Sequence, residues 1–363
     1  MPLKTQKPNY SETQTPNHPI TQKMILVTGA TGILGRVILL DLLKSGQQVR
    51  ATKRKSSNIE EVKDSFRFYT DEVEEFFNKI EWFDVDFDDL ESLQNALTNV
   101  EEVYHCAAKV SFHPNERRKM YHTNIGGTRN LLYACENSTV KKFCFISSTA
   151  VLDGVNEDGE MDENSDFNPK FDHSPYGRSK HFSEMEVWRA SAEGLSTVIL
   201  NPGVILGSGN WESSSGKIFK SFSDFPYALS GNSAYVDVRD VAEIAISLMK
   251  NNIFGQRFIV IAENKTSLDI ASFVRQKLGK SQPKILNNVF LTFGYYLNIL
   301  FGWLFPILQL LNKINIETVT SRNFVSNKKV KDELDYHFIP IEESLDFHLN
   351  NYISDHQIMK KNS

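Results

Sequence analysis

The stretch "MILVTGATGILG", residues 24–35, begins with a short apolar run and continues through three glycines at three-residue spacing into "RVILLDLLKSG". The apolar run predicts a strand, and the spacing after the glycines predicts a helix that ends near Gly46. Glycines between a parallel strand and a helix let the backbone approach a pyrophosphate, whose charge the helix N-terminus binds. The stretch therefore predicts a dinucleotide site at Gly29, Gly32 and Gly35, with a merely structural turn as the alternative.

The rest of the chain repeats this alternation of strands and helices. Further apolar runs of strand length occur at "QVRATKR", "VEEVYHCAA", "KKFCFISS", "STVILNPGVI" and "QRFIVIA". Such alternation predicts an α/β fold, a Rossmann-type doubly wound parallel sheet covered by helices on both faces. We expect residues 24–200 and 236–262 to form a nucleotide-binding domain, and residues 201–235 and 263–363 to form a smaller, mainly helical substrate lobe.

Composition and charge exclude several classes of protein. The 363 residues include 40 basic and 45 acidic side chains, for a net charge of -5, so we expect no nucleic-acid partner. The three cysteines lack the paired spacing of a metal or redox site and are typical of small buried residues in a reducing cytoplasm. Residues 1–23 are polar and have no secretory signal; we interpret them as a disordered tail, or as an upstream extension if Met24 is the true start.

One segment departs from this ordinary composition. Residues 285–312, "ILNNVFLTFGYYLNILFGWLFPILQLLN", contain no charged side chain. Their length would permit a membrane span of roughly 20 residues, but Gly294, Gly302 and Pro306 interrupt the segment. Two interpretations remain: a pair of buried helices in the substrate lobe, or a surface helix that contacts lipid without crossing it.

The end of the second predicted strand bears on which nucleotide is bound. It reads "RATKRKSSN", with Lys53, Arg54 and Lys55 and no carboxylate. An acidic residue there would accept the ribose hydroxyl of NAD, whereas cations suit a 2′-phosphate. This favours NADP, with NAD and a merely solvated basic loop as alternatives. After the third strand, Asp86 and Phe87 are candidates to contact the adenine, unless the acidic turn only caps the next helix.

The stretch "SPYGRSKHFSE" places Tyr176 and Lys180 four residues apart, on one face of a predicted helix. Hydride transfer to or from an alcohol oxygen needs a proton donor or acceptor, and a nearby ammonium group is expected to lower the pKa of a tyrosine towards neutrality. "FCFISSTAV" ends a strand with hydroxyl groups at the carboxyl edge of the sheet, which makes Ser148, with Thr149 in reserve, the candidate to bind the reacting oxygen.

Together, "TGATGILG", the alanines of "HCAAKVSF", "TNIGGTRNLLYAC", "ISSTAV" and "YGRSK" resemble the extended short-chain dehydrogenase/reductase superfamily, over residues 24–245. The resemblance implies a catalytic triad of Ser148, Tyr176 and Lys180, with Asn124 steadying the site and relaying a proton. It also implies a homodimer, since dimers formed through helices are common in relatives. The implied cofactor-binding residues are Gly29, Thr31, Gly32, Ile33, Leu34, Gly35, Arg54, Asp86, Phe87, Ala107, Ala108, Tyr176, Lys180, Pro202 and Val204.

The branch of the superfamily is indicated by two regions. Where sugar-nucleotide epimerases carry an arginine and an Asn-rich pattern, this chain reads "LNPGVILGSG", and Arg239 is the one obvious candidate for a diphosphate. The C-terminal stretch and "VRATKR" are similar to 3β-hydroxysteroid dehydrogenases and dihydroflavonol-type reductases. The resemblance implies a cytoplasmic oxidoreductase that interconverts a secondary alcohol and a ketone on a hydrophobic substrate. The alternatives are an NDP-sugar epimerase or dehydratase with tightly bound NAD, and a non-catalytic nucleotide sensor.

Overall fold

The computed structural model describes residues 23–211 and 217–362, with side chains up to residue 356. Nearly all of the expected N-terminal tail, residues 1–22, lies outside this description. The strands are β1 Met24–Thr28, β2 Gln48–Lys53, β3 Glu81–Asp84, β4 Val100–His105, β5 Lys142–Ile146, β6 Glu160–Met161, β7 Ser196–Pro202, β8 Val204–Leu206, β9 Tyr227–Ala228, β10 Asn232–Asp237, β11 Gln256–Val260, β12 Glu263–Thr266, β13 Lys284–Ile285 and β14 Phe324–Val325.

Helices separate most of these strands. They are α1 Ile33–Lys44, α2 Glu60–Phe66, α3 Val73–Phe77, α4 Leu90–Ala96, α5 Arg117–Tyr121, α6 Gly127–Glu136, α7 Pro175–Ala192, α8 Lys217–Asp224, α9 Val238–Lys250, α10 Ser267–Lys277, α11 Asn288–Phe301, α12 Lys313–Thr320, α13 Lys328–Leu334 and α14 Ile341–Asn362. Short 3₁₀ turns occur at Pro114–Glu116, Thr149–Val151 and Pro306–Leu310, and a π-helical turn at His122–Gly126.

Seven parallel strands form the central sheet, in the order β11-β7-β5-β4-β1-β2-β3. From β1 the chain moves outward through β2 and β3, and then crosses back to place β4 on the other side of β1. This reversal confirms the predicted doubly wound Rossmann-type fold. Because ligands of such sheets bind outside the carboxyl ends of the strands at the reversal, the ends of β1 and β4 mark the expected site.

Helices cover both faces of the sheet. On one face α1 and α9 contribute buried side chains, among them Val37, Ile38 and Val241. On the other face α4, α6 and α7 contribute Leu93, Leu131 and Val187. With apolar layers on both sides, the strands are buried along most of their length, which is why they read as continuous apolar runs in the sequence.

A second group of elements is built from the chain after β7. Strand β10 pairs in parallel with β8 and antiparallel with β12, and a separate core includes Trp211, Phe219, Ile270, Ile341 and Leu345. The elements of this core come from the segments that we assigned to the substrate lobe, except that β10 continues to Asp237. The boundaries of the two domains stay a prediction.

The interpretation of residues 285–312 as buried helices is wrong. They form α11 and the 3₁₀ turn Pro306–Leu310, and in α11 only Leu291 and Gly294 are buried. The other apolar side chains of this segment are partly or largely exposed, because the chain packs one narrow face against its neighbours and projects the rest outward. Within the described ranges, no helix has the length and apolar character needed to cross a membrane.

Candidate active site

The glycine turn lies where the sequence placed it, between β1 and α1. Gly29 adopts φ +65°, and a Cβ atom there would lie 2.6 Å from the backbone nitrogen of Ala107, just beyond β4. A Cβ atom on Gly35 would collide with the carbonyl oxygen of Gly29. Both positions therefore require glycine, because the turn, the start of α1 and the end of β4 pack backbone against backbone.

The N-terminus of α1 suits an anion. Gly32 is its N-cap, no side chain caps the helix, and its first turn, which begins with Ile33 and Leu34, carries no acidic residue. The N–H groups of a helix start bind phosphate under these conditions. The residues present thus fit the pyrophosphate of a dinucleotide, and we infer that the turn and these N–H groups would hold it.

Arg36 is a site residue that the sequence analysis missed. Its side chain is 1% exposed, and its guanidinium group donates to the carbonyl oxygens of Thr31 (2.5 Å) and Gly32 (3.3 Å) and pairs with Glu61 at 3.2 Å. Arg36 therefore fixes the shape of the glycine turn between β1 and α1, which we call the phosphate turn below. The signal that could have identified it was a charged residue in the first turns of an otherwise apolar helix.

Only part of the basic cluster after β2 remains available to a nucleotide. Lys53 pairs with Asp84 at 2.5 Å across the β2–β3 ladder, so its charge is already matched. Arg54 and Lys55 are exposed, and Arg54 uses its backbone N–H to bond the Ser57 hydroxyl at 3.2 Å. The cations that could meet a 2′-phosphate are therefore Arg54 and Lys55.

Asp86 and Phe87, which follow β3, make different contacts. The carboxylate of Asp86 accepts from the N–H of Asp88 at 3.0 Å, while Asp89, and not Asp86, is the N-cap of α4. The Phe87 side chain is half-buried and packs against Gly127 at the start of α6. Both Asp86 and Phe87 thus lie next to the predicted cleft, and their contacts with an adenine stay a prediction.

His105 ends β4 at the carboxyl edge of the sheet and is almost fully buried. Its ring nitrogens lie 2.7 Å from the Thr28 hydroxyl and 2.9 Å from the Thr128 hydroxyl. Burial, with the nearby charge of Lys180, lowers the pKa of His105 to about 3. The imidazole is therefore neutral and links the ends of β1 and β4 to α6. Beyond it, Ala107 is half-buried and Ala108 exposed, and their contacts with a cofactor stay a prediction.

Ser148 and Tyr176 come together at the carboxyl end of β5. The Ser148 hydroxyl accepts from the N–H of Ala150 at 3.2 Å, which caps the turn Thr149–Val151, and it is hydrogen-bonded to Tyr176. Gly177 explains this proximity, since a Cβ atom there would lie 2.5 Å from the Ala150 carbonyl oxygen. The glycine beside the tyrosine lets α7 approach the strand end closely enough for the two hydroxyl groups to meet.

Lys180 is 2% exposed and faces the same strand end. Its ammonium group donates to the carbonyl oxygen of Ile146 at 2.6 Å and lies 4.6 Å from the centre of the Phe145 ring. Burial lowers the pKa of Lys180 to about 8, although Glu184 and Cys106 act in the opposite direction. Lys180 thus remains mainly cationic at neutral pH but is easily deprotonated.

The prediction that Lys180 brings the pKa of Tyr176 towards neutrality is wrong. Burial raises the pKa of Tyr176 to about 12, and the hydrogen bond with Ser148 only partly opposes this effect. The physical reason is that the ammonium group of Lys180 bonds the carbonyl oxygen of Ile146, whereas the phenol loses solvent on entering the fold. Tyr176 is therefore protonated at neutral pH and suited to donate a proton.

Asn124 lies in the π-helical turn and is 2% exposed. Its side chain accepts from the N–H of Lys109 at 2.7 Å and donates to the Lys109 carbonyl at 3.0 Å and to Ser179 on α7 at 2.9 Å. Asn124 therefore joins the loop after β4 to the helix that carries Tyr176. This geometry agrees with a steadying role; a proton relay to Lys180 stays a prediction.

Next to Ser148 and Lys180 lies a buried pair, Asn201 and Glu184, that the sequence analysis did not identify. Asn201, at the end of β7, donates to the Ser148 carbonyl at 3.1 Å and to the Glu184 carboxylate at 2.7 Å. Glu184 is one helical turn beyond Lys180 and 2% exposed. The signal was the i, i+4 spacing of Lys180 and Glu184 on α7. Next to Asn201, Pro202 is buried at the end of β7 and Val204 is half-buried at the start of β8.

The fold and this site define an NAD(P)-binding oxidoreductase of the short-chain dehydrogenase/reductase type. The family model "NAD dependent epimerase/dehydratase family" matches residues 25–262. The chain belongs to this family.

Curated relatives include proteins named as a sterol demethylase protein, a reductase and a dehydrogenase. The chain is 29% identical over 265 residues to sterol demethylase protein B of Methylococcus capsulatus, with 72% of this chain and 76% of the relative covered. It is 28% identical to a putative dihydroflavonol 4-reductase of Synechocystis, at 76% and 77% coverage. It is 24% identical to a 3 beta-hydroxysteroid dehydrogenase/Delta 5-->4-isomerase of Mycobacterium tuberculosis, at 93% and 92% coverage.

Solved structures agree on the fold. The crystal structure of gox2253 superposes with a TM-score of 0.77 at 25% identity, covering 92% of this chain and 98% of that chain. The Thermus thermophilus UDP-glucose 4-epimerase, solved in complex with NAD, superposes with a TM-score of 0.68 at 21% identity, covering 91% and 98%.

Proposed function

We propose that the protein is an NAD(P)-dependent oxidoreductase that interconverts a secondary alcohol and a ketone on a hydrophobic substrate, with Tyr176 as the acid and base. The observation that carries this proposal is the meeting of Ser148 and Tyr176 at the end of β5, two strands from the phosphate turn at the end of β1. A bound nicotinamide would supply the site that gives or accepts hydride. The chain's own groups would bind the substrate oxygen and move its proton.

In the direction of reduction, the Ser148 hydroxyl would donate a hydrogen bond to the ketone oxygen and Tyr176 would transfer its proton to that oxygen. Because the pKa of Tyr176 is raised to about 12, the proton is present throughout the neutral range. Lys180 does not lower the pKa of the resting phenol, because its ammonium group bonds the Ile146 carbonyl oxygen. Once negative charge forms on the phenol, the ammonium group, on the same face of α7, would turn towards it and stabilise the phenolate. In the direction of oxidation the same groups would act in reverse order.

Two features support a poorly polar substrate. Arg239, the candidate for a diphosphate, already forms two hydrogen bonds with Asp237, at 2.9 and 2.7 Å, and lies over the Phe347 ring. The loop after β4, which Asn124 joins to α7, instead presents the exposed side chains of Val110 and Phe112 beside the site. The names of the curated relatives, which include a sterol demethylase protein and a dihydroflavonol reductase, agree with this choice.

We also propose NADP as the preferred cofactor, with NAD as the alternative. Support comes from the exposed cations Arg54 and Lys55 after β2, and from the pairing of Lys53 with Asp84, the carboxylate opposite it at the end of β3. A carboxylate that is engaged in this way is less available to a ribose hydroxyl, whereas free cations attract a phosphate.

A second candidate, an NDP-sugar epimerase or dehydratase with tightly bound NAD, is favoured by the family description, which names both activities. One experiment separates the two. The purified protein is incubated with NADPH or NADH and a panel of hydrophobic ketones and NDP-sugars, while the absorbance of the reduced cofactor is followed. Net oxidation of NADPH by an apolar ketone is expected. Conversion of an NDP-sugar without net change in free cofactor would overturn the first proposal in favour of the second.

A further inference from the structure

The segment formed by α11 and the turn Pro306–Leu310, which we call the apolar hairpin, exposes an unusual amount of apolar surface. Leu311, which follows the turn, folds back onto α11, where a Cβ atom on Gly294 would lie 2.7 Å from its side chain. The exposed fractions at the tip reach 79% for Trp303 and 70% for Ile307. A contiguous apolar surface of this kind marks an interaction site, since isolated surface apolar residues are ordinary but clusters are not.

Charge is confined to the base of the apolar hairpin. Residues 285–312 contain no charged side chain, while Lys280 and Lys284 precede them and Lys313 follows them. Lys280 lies 4.0 Å from Asp224, and Lys313 lies 3.3 Å from Asp172 and 3.7 Å from Glu317, whereas Lys284 is exposed. An apolar tip with lysines at its base is the arrangement of a segment that inserts into the interface of a bilayer.

The shape of the exposed surface favours lipid over a second protein. At about 100° per residue, the exposed side chains of α11 extend from Ile299 through Val289 to Phe301, around roughly 200° of the helix. A helix that packs against a protein surface needs an apolar stripe only about 100° wide. Lipid chains can surround a protruding helix and its tip, so they can cover Trp303, Phe305 and Ile307 together with both flanks of α11.

The apolar hairpin is joined to the candidate active site. The carbonyl oxygen of Pro306 lies 3.2 Å from Nε2 of His113, and the side chain of Asn315, just after the hairpin, donates to the carbonyl oxygen of Phe112 at 3.0 Å. Both partners belong to the loop after β4, whose start Asn124 holds against α7. The exposed apolar surface therefore continues from the hairpin to the loop beside Tyr176.

We propose that the apolar hairpin docks the protein on the surface of a lipid bilayer by inserting its tip among the acyl chains, without crossing the bilayer. The site then faces the membrane, and a lipid-soluble substrate reaches it directly from the bilayer; this second part rests on the proposed function. Docking itself needs neither cofactor nor substrate, so the two proposals can fail separately.

The test uses the full chain without cofactor and vesicles of phosphatidylcholine, alone or mixed with phosphatidylserine. The variant Trp303→Ser/Phe305→Ser/Ile307→Ser removes the tip, and Val155→Ser/Phe324→Ser, which removes exposed apolar side chains elsewhere, is the matched control. We expect the wild type and the control to sediment with both vesicles, more strongly with phosphatidylserine. The tip variant should lose about ten-fold or more in binding, because each removed side chain buries apolar area in lipid.

Three results would overturn the proposal. The first is a wild-type protein that stays in solution with both vesicles, and the second is a tip variant that binds them as well as the control does. The third is a wild-type dimer that the tip substitutions dissociate while vesicle binding is unchanged, which would assign the surface to a second copy of the chain.

An unchanged thermal midpoint of unfolding shows that the variant is folded, as expected for exposed positions. A blue shift of tryptophan fluorescence on adding vesicles, present in the wild type and absent from the variant that lacks Trp303, is the independent positive result.

Discussion

The ammonium nitrogen of Lys180 lies 2.6 Å from the carbonyl oxygen of Ile146, the last residue of β5. This hydrogen bond ties the helix that carries Tyr176 to the strand that leads to Ser148. Gly177 permits the same approach, since any side chain there would meet the carbonyl oxygen of Ala150. The relative positions of Ser148, Tyr176 and Lys180 are therefore fixed by the packing of α7 against the end of β5.

Tyr176→Phe is expected to lower turnover by about 100-fold or more, because it removes the proton that the substrate oxygen receives while leaving the ring in place. Cofactor binding should persist, since the phosphate turn at Gly29 is unaffected. Turnover and the cofactor-dependent rise in thermal midpoint measure the two effects. Tyr133→Phe, on the exposed side of α6, is the control and should leave both unchanged. Near-normal turnover of Tyr176→Phe would refute the role of the phenol.

The rate of ketone reduction is expected to fall as the pH rises through about 8, where Lys180 loses its charge. A neutral amine cannot stabilise the phenolate that forms when Tyr176 gives up its proton. Because the charge of Glu184 favours the ammonium form, Glu184→Gln should lower the pKa of Lys180 and move this inflection to lower pH. The measurement is the pH dependence of kcat/KM.

The matched control for this prediction is Glu186→Gln, which removes a carboxylate on α7 that pairs with Arg129 and Arg189 near the surface. It should leave the inflection where the wild type has it. If the inflection of Glu184→Gln lies at the same pH as that of the wild type, Glu184 has no effect on the pKa of Lys180. If the inflection moves equally in both variants, the effect is not specific to Glu184.

Arg54→Ala/Lys55→Ala is expected to raise the KM for NADPH by about ten-fold or more, because hydrogen bonds to a charged group contribute about 1.5–3 kcal/mol each. The KM for NADH should change little, since NADH has no 2′-phosphate. Lys79→Ala removes an exposed cation that pairs with Glu75 and serves as the control. Equal changes in the two KM values, or a wild-type preference for NADH, would count against NADP.

Gly29→Ala is expected to weaken cofactor binding and to lower the free energy of unfolding. The substitution forces a side chain into a left-handed conformation and against the backbone of Ala107. Gly46→Ala is a matched control: Gly46 has φ +77°, but a Cβ atom there would meet no atom within 4 Å. In the control, the free energy of unfolding should fall only by the cost of placing a side chain in the left-handed conformation, about 1–2 kcal/mol.

The measurements for this pair are the free energy of unfolding and the dissociation constant of the cofactor. Gly29→Ala should lose more stability than Gly46→Ala and should also bind the cofactor more weakly, whereas Gly46→Ala should bind it normally. Equal losses of stability with unchanged cofactor binding would show that the backbone approach of Gly29 and Ala107 does not shape the phosphate site.

The sequence by itself determined the sheet and the glycine turn, and it singled out Ser148, Tyr176 and Lys180, which the structure places at the same strand end. These features follow from local patterns in the sequence, namely apolar runs, glycine spacing and a four-residue interval on one helix. Such patterns can be recognised without knowledge of the tertiary structure. Residues whose roles come from distant partners were not identified. In the sequence, Arg36 is only an isolated charge in an apolar helix, and its hydrogen bonds to the phosphate turn are known only from the structure. Likewise, Glu184 would be interpreted as a surface carboxylate, whereas the structure places Asn201 beside it.

Only the tertiary structure determined the pKa values of the site and whether the apolar segment, residues 285–312, is buried or exposed. Whether Lys180 lowers the pKa of Tyr176 depends on where its ammonium group points and on how much solvent the phenol loses, and neither follows from four-residue spacing. Likewise, the composition of residues 285–312 suits burial and exposure equally. Only the packing of the whole chain, which covers Leu291 and leaves Trp303 exposed, determines which of the two occurs.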